Sequence, residues 1–217
     1  MNLITVVEQA TFLPTFQASI EIMAVLAFAL SGVVAGMRKG LDIVGVCFVA
    51  GIAAFGGGTF RDLFLDRRPF FWVEQDYLIW SVLGVCALAS FVLSVRHAEL
   101  TEKWIQIPDA VGLGLFSALG AQIAIEHGYS PIIAILMGVF SSTLGGVLRD
   151  VFCNELPKAF SDHRPYILVA VIGSTVVQLL AVLGLPPTFS LLVALLVSTT
   201  IRIMAISWDW SLPAWRQ

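Results

Sequence analysis

Apolar residues in this chain fall into long runs, and the polar positions between them cluster at the run ends. Seven runs are marked by charged or Pro/Gly boundaries: 18–37, closed by 38-RKG-40; 43–64; 77–95, closed by 96-RHAE-99; 110–125, closed by 126-EHG-128; 131–152; 166–183; and 188–208. Each is close to the ~20 residues that an α-helix needs to cross a bilayer. Residues 166–201 make a 36-residue stretch without a charged side chain. That is long enough for two spans, divided at 184-GLPPT-188. No run alternates apolar and polar residues as a transmembrane β-strand would. Between the third and fourth runs, 99-ELTEKWIQIPDA-110 reads as an amphipathic connector with Trp104 suited to the interface. The pattern predicts an all-α membrane protein with seven transmembrane helices.

Two places break this pattern from within. The stretch 55-FGGGTFRD-62 puts three glycines and an Arg-Asp pair inside the second run, and 143-TLGGVLRD-150 does nearly the same in the fifth. A glycine weakens a helix by about 1 kcal/mol relative to alanine, and a charge inside a span costs a few kcal/mol on insertion scales. Sliding the sequence by 88 residues superimposes Gly57-Gly58 on Gly145-Gly146, Arg61-Asp62 on Arg149-Asp150, Phe64 on Phe152 and Pro69 on Pro157. The same shift pairs Phe28 with Phe116, Gly32 with Gly120 and Gly40 with Gly128. One period holds three runs, an odd number, so the second copy enters the membrane from the other side. The chain therefore reads as one membrane domain, 1–217: a three-helix repeat at 18–98, an inverted copy at 108–184 and a seventh helix at 188–208. Inverted repeats with glycine-interrupted helices at matching positions point to a solute or ion site near the midplane.

Composition agrees. Only 12% of residues are charged, 58% are apolar, and mean hydropathy is +0.91; soluble domains carry about 25% charged residues. Of the lysines and arginines outside the two motifs, Arg67 and Arg68 lie on the side of the N-terminus. Arg38, Lys39, Arg96, Lys103, Lys158, Arg164, Arg202 and Arg216 lie on the other. Positive charge marks the cytoplasmic face, so the N-terminus is expected outside and the C-terminus inside. Residues 1–15 contain no Lys or Arg, so no secretory signal peptide is expected.

Consecutive glycines let a helix kink and turn its carbonyls toward a cavity, where they are hard oxygen ligands for a partly dehydrated K⁺ or Na⁺. Thr59 follows the first glycines, and Ser141, Ser142 and Thr143 precede the second. The competing reading is that the glycines only allow close helix packing, as small residues do in membranes. Arg61 and Arg149 would repel a cation unless Asp62 and Asp150 neutralise them, so they are candidates for shaping or gating a constriction. Glu21 and Arg202 are expected at interfaces, and the six tryptophans mostly at segment ends as anchors. Cys47, Cys86 and Cys153 read as packing residues. No cysteine or histidine stands at metal-ligand spacing, so no metal site or cofactor is expected. With no positioned nucleophile or base in view, an enzyme is not expected. Nothing calls for nucleic acid.

Seven helices, a three-plus-three inverted repeat, and GGGTFRD answered by GGVLRD resemble the prokaryotic trimeric intracellular cation (TRIC) channels, some of whose bacterial relatives are described as glycine transporters. The resemblance extends over 18–206. It implies a homotrimer in a bacterial inner membrane, each protomer enclosing an hourglass pore lined by helices kinked at these glycines. Carried over by position, it marks Gly56, Gly57, Gly58, Arg61 and Asp62, and then Gly145, Gly146, Arg149 and Asp150. Leu144 stands opposite Gly56, so the two kinks need not be equal. No lysine-rich signature for phosphoinositide binding is present. The expected function is a K⁺ channel that also admits Na⁺; the alternative is a secondary transporter of glycine or another small zwitterion, bound at both ends by the Arg-Asp pairs.

Overall fold

The computed structural model describes residues 3–92 and 103–213, with side chains over 13–91 and 104–213. The charged stretch 96-RHAE-99, the C-terminal end of the third run, the side chain of Lys103, and Trp215 and Arg216 lie outside these. The described residues form helices and no strands: α1 (Leu3–Arg38), α2 (Ile43–Phe64), α3 (Phe71–Glu74), α4 (Tyr77–Val92), α5 (Lys103–Glu126), α6 (Pro131–Phe152), α7 (Lys158–Ser161), α8 (Ile167–Val182) and α9 (Pro187–Ser207). Five are long and apolar enough to cross a membrane (α1, α2, α5, α6 and α9), while α4 and α8 are apolar but shorter.

The bounds of α2 and α6 are those expected from the apolar runs. By contrast, α1 starts well before residue 18, and α5 absorbs part of the expected connector, with Pro108 inside it. Gln106 and Asp109 give that stretch its interfacial look, but both are buried. They turn inward as part of a helix. The short α3 and α7, each following a proline, were not visible as apolar runs.

The 88-residue offset recurs in the backbone. α1 and α5 end at Arg38 and Glu126, and each is stopped by a glycine in the left-handed region, Gly40 at φ +68° and Gly128 at φ +75°. After α2 and α6 the left-handed residues are Asp66 (φ +51°) and Asn154 (φ +54°), residue types that tolerate this conformation. There Arg67 N donates to Asp62 O at 2.8 Å and Glu155 N to Asp150 O at 2.9 Å, satisfying carbonyls that the helix end leaves open. At the other end of α2, Asp42 caps the helix by accepting from Gly45 N at 2.7 Å.

Helices α1 and α2 pack on each other and on α5 and α6 respectively; α4 closes on the first pair and α8 on the second. α9 packs on α5 and α8 and has no equivalent against α1 and α4. Contacts between the halves are reciprocal. A Cβ on Gly57 would fall on the Ser141 carbonyl, and a Cβ on Gly145 would fall on the Ala53 carbonyl; Ala53 and Ser141 are themselves one offset apart. Phe28 stacks on its own counterpart Phe116 with ring centres 5.8 Å apart. Within the halves, a Cβ on Gly32 would lie 2.7 Å from Ala50 Cα, and one on Gly120 would lie 3.0 Å from Gly138 Cα.

Both α2 and α6 stay α-helical through their glycines, so no break there frees a carbonyl. What Gly57 and Gly145 supply is backbone-to-backbone approach, as small residues do between membrane helices. Gly57→Ala should therefore destabilise the protein by about 1–3 kcal/mol through overpacking. Gly51→Ala, on the same helix with open space at its Cβ, should be neutral or stabilise by up to about 1 kcal/mol. Thermal unfolding in detergent reads both, and equal shifts would refute the crossing contact.

Candidate functional site

Arg61 and Arg149 follow the glycine pairs by three and four residues, so their side chains lean back over the close crossing of α2 and α6. They are 0% and 2% exposed. A guanidinium so deeply buried needs partners, and each has two carboxylates. Arg61 Nε donates to Asp62 Oδ1 at 2.8 Å; its Nη2 lies 2.7 Å from Asp62 Oδ1 and 3.1 Å from Glu21 Oε1. Arg149 Nε donates to Asp150 Oδ1 at 2.9 Å; its Nη2 lies 2.8 Å from the same oxygen and its Nη1 2.6 Å from Asp109 Oδ1. Arg149 Nη1 also donates to Ser31 Oγ.

The second oxygen of each aspartate holds the start of a short helix. Asp62 Oδ2 accepts from Phe71 N at 2.8 Å, and Asp150 Oδ2 from Lys158 N at 2.9 Å. These are donors that the first turn of α3 or α7 cannot satisfy itself. Each Arg-Asp pair thus ties a long helix to the loop behind it. In the first cluster the Arg61 guanidinium lies 5.3 Å from the centre of the Phe71 ring. Its Nη1 has no hydrogen-bond partner among the described residues.

Glu21 and Asp109 complete the clusters, each 40 residues before its arginine. Glu21 is 4% exposed because it faces Arg61. The 88-residue shift already places Glu21 on Asp109, acid on acid, and that was the available signal. Arg202 is likewise buried, with its Nη1 donating to Pro165 O at 3.0 Å.

The other marked residues divide. Gly58 lies under the Phe71 ring, and Gly146 lies beside Asp109, Arg149 and Tyr166, so both belong to the clusters. Ser142 and Thr143 are buried but donate to carbonyls of their own helix at 2.8 Å. Ser141 Oγ is buried at the crossing with no partner among the described residues. Thr59 donates to Phe55 O at 2.7 Å and accepts from Trp72 Nε1 at 3.0 Å. With Gly56 it lines an apolar groove of about 600 Å³ beside Cys47, Phe48 and Phe152, away from the clusters.

Two cavities approach the clusters. The first, about 240 Å³, is lined by Gln17, Glu21, Arg67, Glu74, Glu126 and His127 among others. The second, about 390 Å³, is lined by Gln106, Glu155, Lys158, Ser161, Asp162 and Arg164. The 88-residue offset carries Ala18, Arg67 and Glu74 of the first onto Gln106, Glu155 and Asp162 of the second. The first holds three carboxylates against one arginine and so favours cations. In the second, two carboxylates face two basic residues. Among the described residues no group of histidine, cysteine and acidic side chains could hold a metal ion.

A family described as "Glycine transporter" matches the chain twice, over residues 18–94 and 106–182. The chain belongs to this family. Its two matches start and end 88 residues apart. Similar family members include a "UPF0126 membrane protein" of Vibrio cholerae, 34% identical over 89% of this chain and 80% of that one. Another is the "UPF0126 inner membrane protein YadS" of Escherichia coli K12, 33% identical over 89% and 93%. Among solved structures, the TRIC trimeric intracellular cation channel orthologue from Rhodobacter sphaeroides superposes with a TM-score of 0.82 at 32% identity, covering 90% of this chain and all of that one. A prokaryotic TRIC channel in 0.5 M KCl gives 0.83 at 28% identity, covering 92% and 100%. The resemblance to the TRIC channels therefore holds in sequence and in fold.

Two predictions follow from the charges. Arg149→Gln would leave Asp109 and Asp150 buried and unpaired and should cost about 3–5 kcal/mol; Asp109→Asn and Asp150→Asn added to it should recover most of the loss in thermal unfolding. At the rim of the second cavity, Glu155 Oε1 lies 2.8 Å from Lys39 Nζ. The hydrogen bond from Lys39 holds the Glu155 carboxyl below its ordinary range, against the opposing effect of burial. A depressed carboxylate stabilises the fold above its unfolded pKa of about 4.3 and loses that contribution as pH falls through the folded value. Both partners are about a third exposed, so the pair is worth at most about 1 kcal/mol. Glu155→Gln should lower the Tm slightly at neutral pH, and the difference should vanish in acid. A difference that persists in acid would refute the pairing.

Proposed function

We propose that this protein is a monovalent-cation channel of a bacterial inner membrane, conducting K⁺ and also Na⁺. The observation that carries the reading is the pair of offset-related cavities flanking the two buried Arg-Asp-acid clusters, with the α2–α6 crossing between them. The ion path runs from the cation-favouring first cavity past Glu21, Arg61 and Asp62. It then crosses between α2 and α6 beside Gly58, Ser141 and Gly146 to Arg149, Asp150 and Asp109, and leaves through the second cavity. With both arginines buried and ion-paired, the path is closed, and opening requires them to swing aside.

The reciprocal contacts and the doubled family match support seven spans arranged as a three-plus-three inverted repeat, 18–98 and 108–184, with 188–208 as the seventh. The excess of basic residues on one face supports an outside N-terminus and a cytoplasmic C-terminus. Assembly as a homotrimer follows the neighbour described as a trimeric channel.

Transport of glycine is the second reading. The family description favours it, and each cluster offers both a guanidinium and carboxylates to a zwitterion.

Reconstitution in planar bilayers under a KCl gradient separates the two. A channel gives discrete current steps that reverse near the K⁺ potential, and Arg61→Ala and Arg149→Ala change their open probability. A silent bilayer with saturable uptake of labelled glycine into liposomes would overturn the channel and make the arginines substrate ligands.

A further inference from the structure

The two halves differ at one buried position near the start of their third helix. In the first half it is Leu78, apolar and 0% exposed. One 88-residue offset further on stands Tyr166, just before α8 and 4% exposed, which brings a hydroxyl to that place. The Tyr166 hydroxyl and Asp109 Oδ1 crowd the same glycine, 2.7 and 3.1 Å from where a Cβ on Gly146 would stand. The acids differ too. Glu21 lines the first cavity, while Asp109 does not line the second, although Gln106 one turn earlier does.

The cause lies in α9, which the first half lacks. Arg202 Nη1 donates to Pro165 O at 3.0 Å, its Nη2 lies 3.7 Å from Asp162 Oδ2, and its guanidinium lies 4.8 Å from the centre of the Tyr166 ring. Beyond α9, Asp209 Oδ1 accepts from Arg164 Nε at 2.8 Å, and Leu212 N donates to His163 O at 2.7 Å. Every residue of 162–166 is thus held by α9 or by the segment that follows it. A helix needed only to cross lipid would gain nothing from a buried arginine.

We propose that α9 is a clamp: through Arg202 it holds Tyr166 over Asp109 and shuts the Arg149 cluster off from the second cavity. Arg202 is a positioning residue that acts through Tyr166. The path is then sealed more tightly at the face carrying the C-terminus than at the opposite face. The inference rests on the reading of the two cavities as mouths of one path.

The test is accessibility, which does not depend on what is transported. In a background with Cys47, Cys86 and Cys153 replaced by alanine, Ser31→Cys places a thiol against Arg149. A cationic methanethiosulfonate is applied to one face or the other of oriented proteoliposomes. From the C-terminal face, Arg202→Gln and Tyr166→Ala should each speed labelling about tenfold, with Arg202→Lys in between and the rate from the other face unchanged. Arg164→Gln, at the exposed end of the clamp, should give a smaller rise of about threefold with little risk to folding. Unchanged rates from the C-terminal face would overturn the clamp. An equal rise from both faces would also overturn it, since Arg202 would then merely hold the fold together. Flux measured in the same liposomes keeps the two ideas apart. K⁺ flux through the parent with an unchanged label refutes the clamp alone. Faster labelling with no flux of K⁺ or glycine supports the clamp and refutes the transport path.

Discussion

Buried charge is the constraint on which the rest of this structure depends. Arg61 and Arg149 lie where neither water nor lipid can solvate them, so the protein itself must supply every partner. The adjacent aspartate supplies one carboxylate and a neighbouring helix the other, which fixes how α1 meets α2 and how α5 meets α6. The aspartates then spend their second oxygens on the N–H groups that start α3 and α7, so the loops behind the long helices are set by the same charges. A buried ion pair of this kind adds little net stability, but losing one partner is severe. Its effect is to specify geometry.

That geometry is possible only because the backbones can approach. Water gives no hydrophobic drive between helices inside a bilayer, so contact rests on close packing. Gly57 and Gly145 put α2 and α6 against each other's carbonyls, and Gly32 and Gly120 do the same within each half. The glycines and the arginines are therefore one device. The first bring the helices close, and the second make any other register costly.

Near-symmetry gives the molecule two similar cavities, and the departures from it give them different linings. Arg67 of one cavity becomes Glu155 of the other, the buried Leu78 becomes Tyr166, and α9 rests mainly on the second half.

The sequence by itself determined the all-α fold with its long apolar helices, the bounds of α2 and α6, the 88-residue repeat and the family. All of these are written in contiguous runs or in a fixed offset, and lipid enforces apolar continuity residue by residue. It marked Arg61, Asp62, Arg149 and Asp150 as unusual, because a charge inside a span is unusual wherever it points. Only the tertiary structure decided their partners, since Glu21 and Asp109 reach them from helices 40 residues away. It also decided that the glycines serve close packing within unbroken helices, which depends on what lies opposite them. Arg202 and Tyr166 were equally hidden. Their burial comes from α9 folding back onto the loop before α8, and a linear pattern carries no trace of which helix covers which loop.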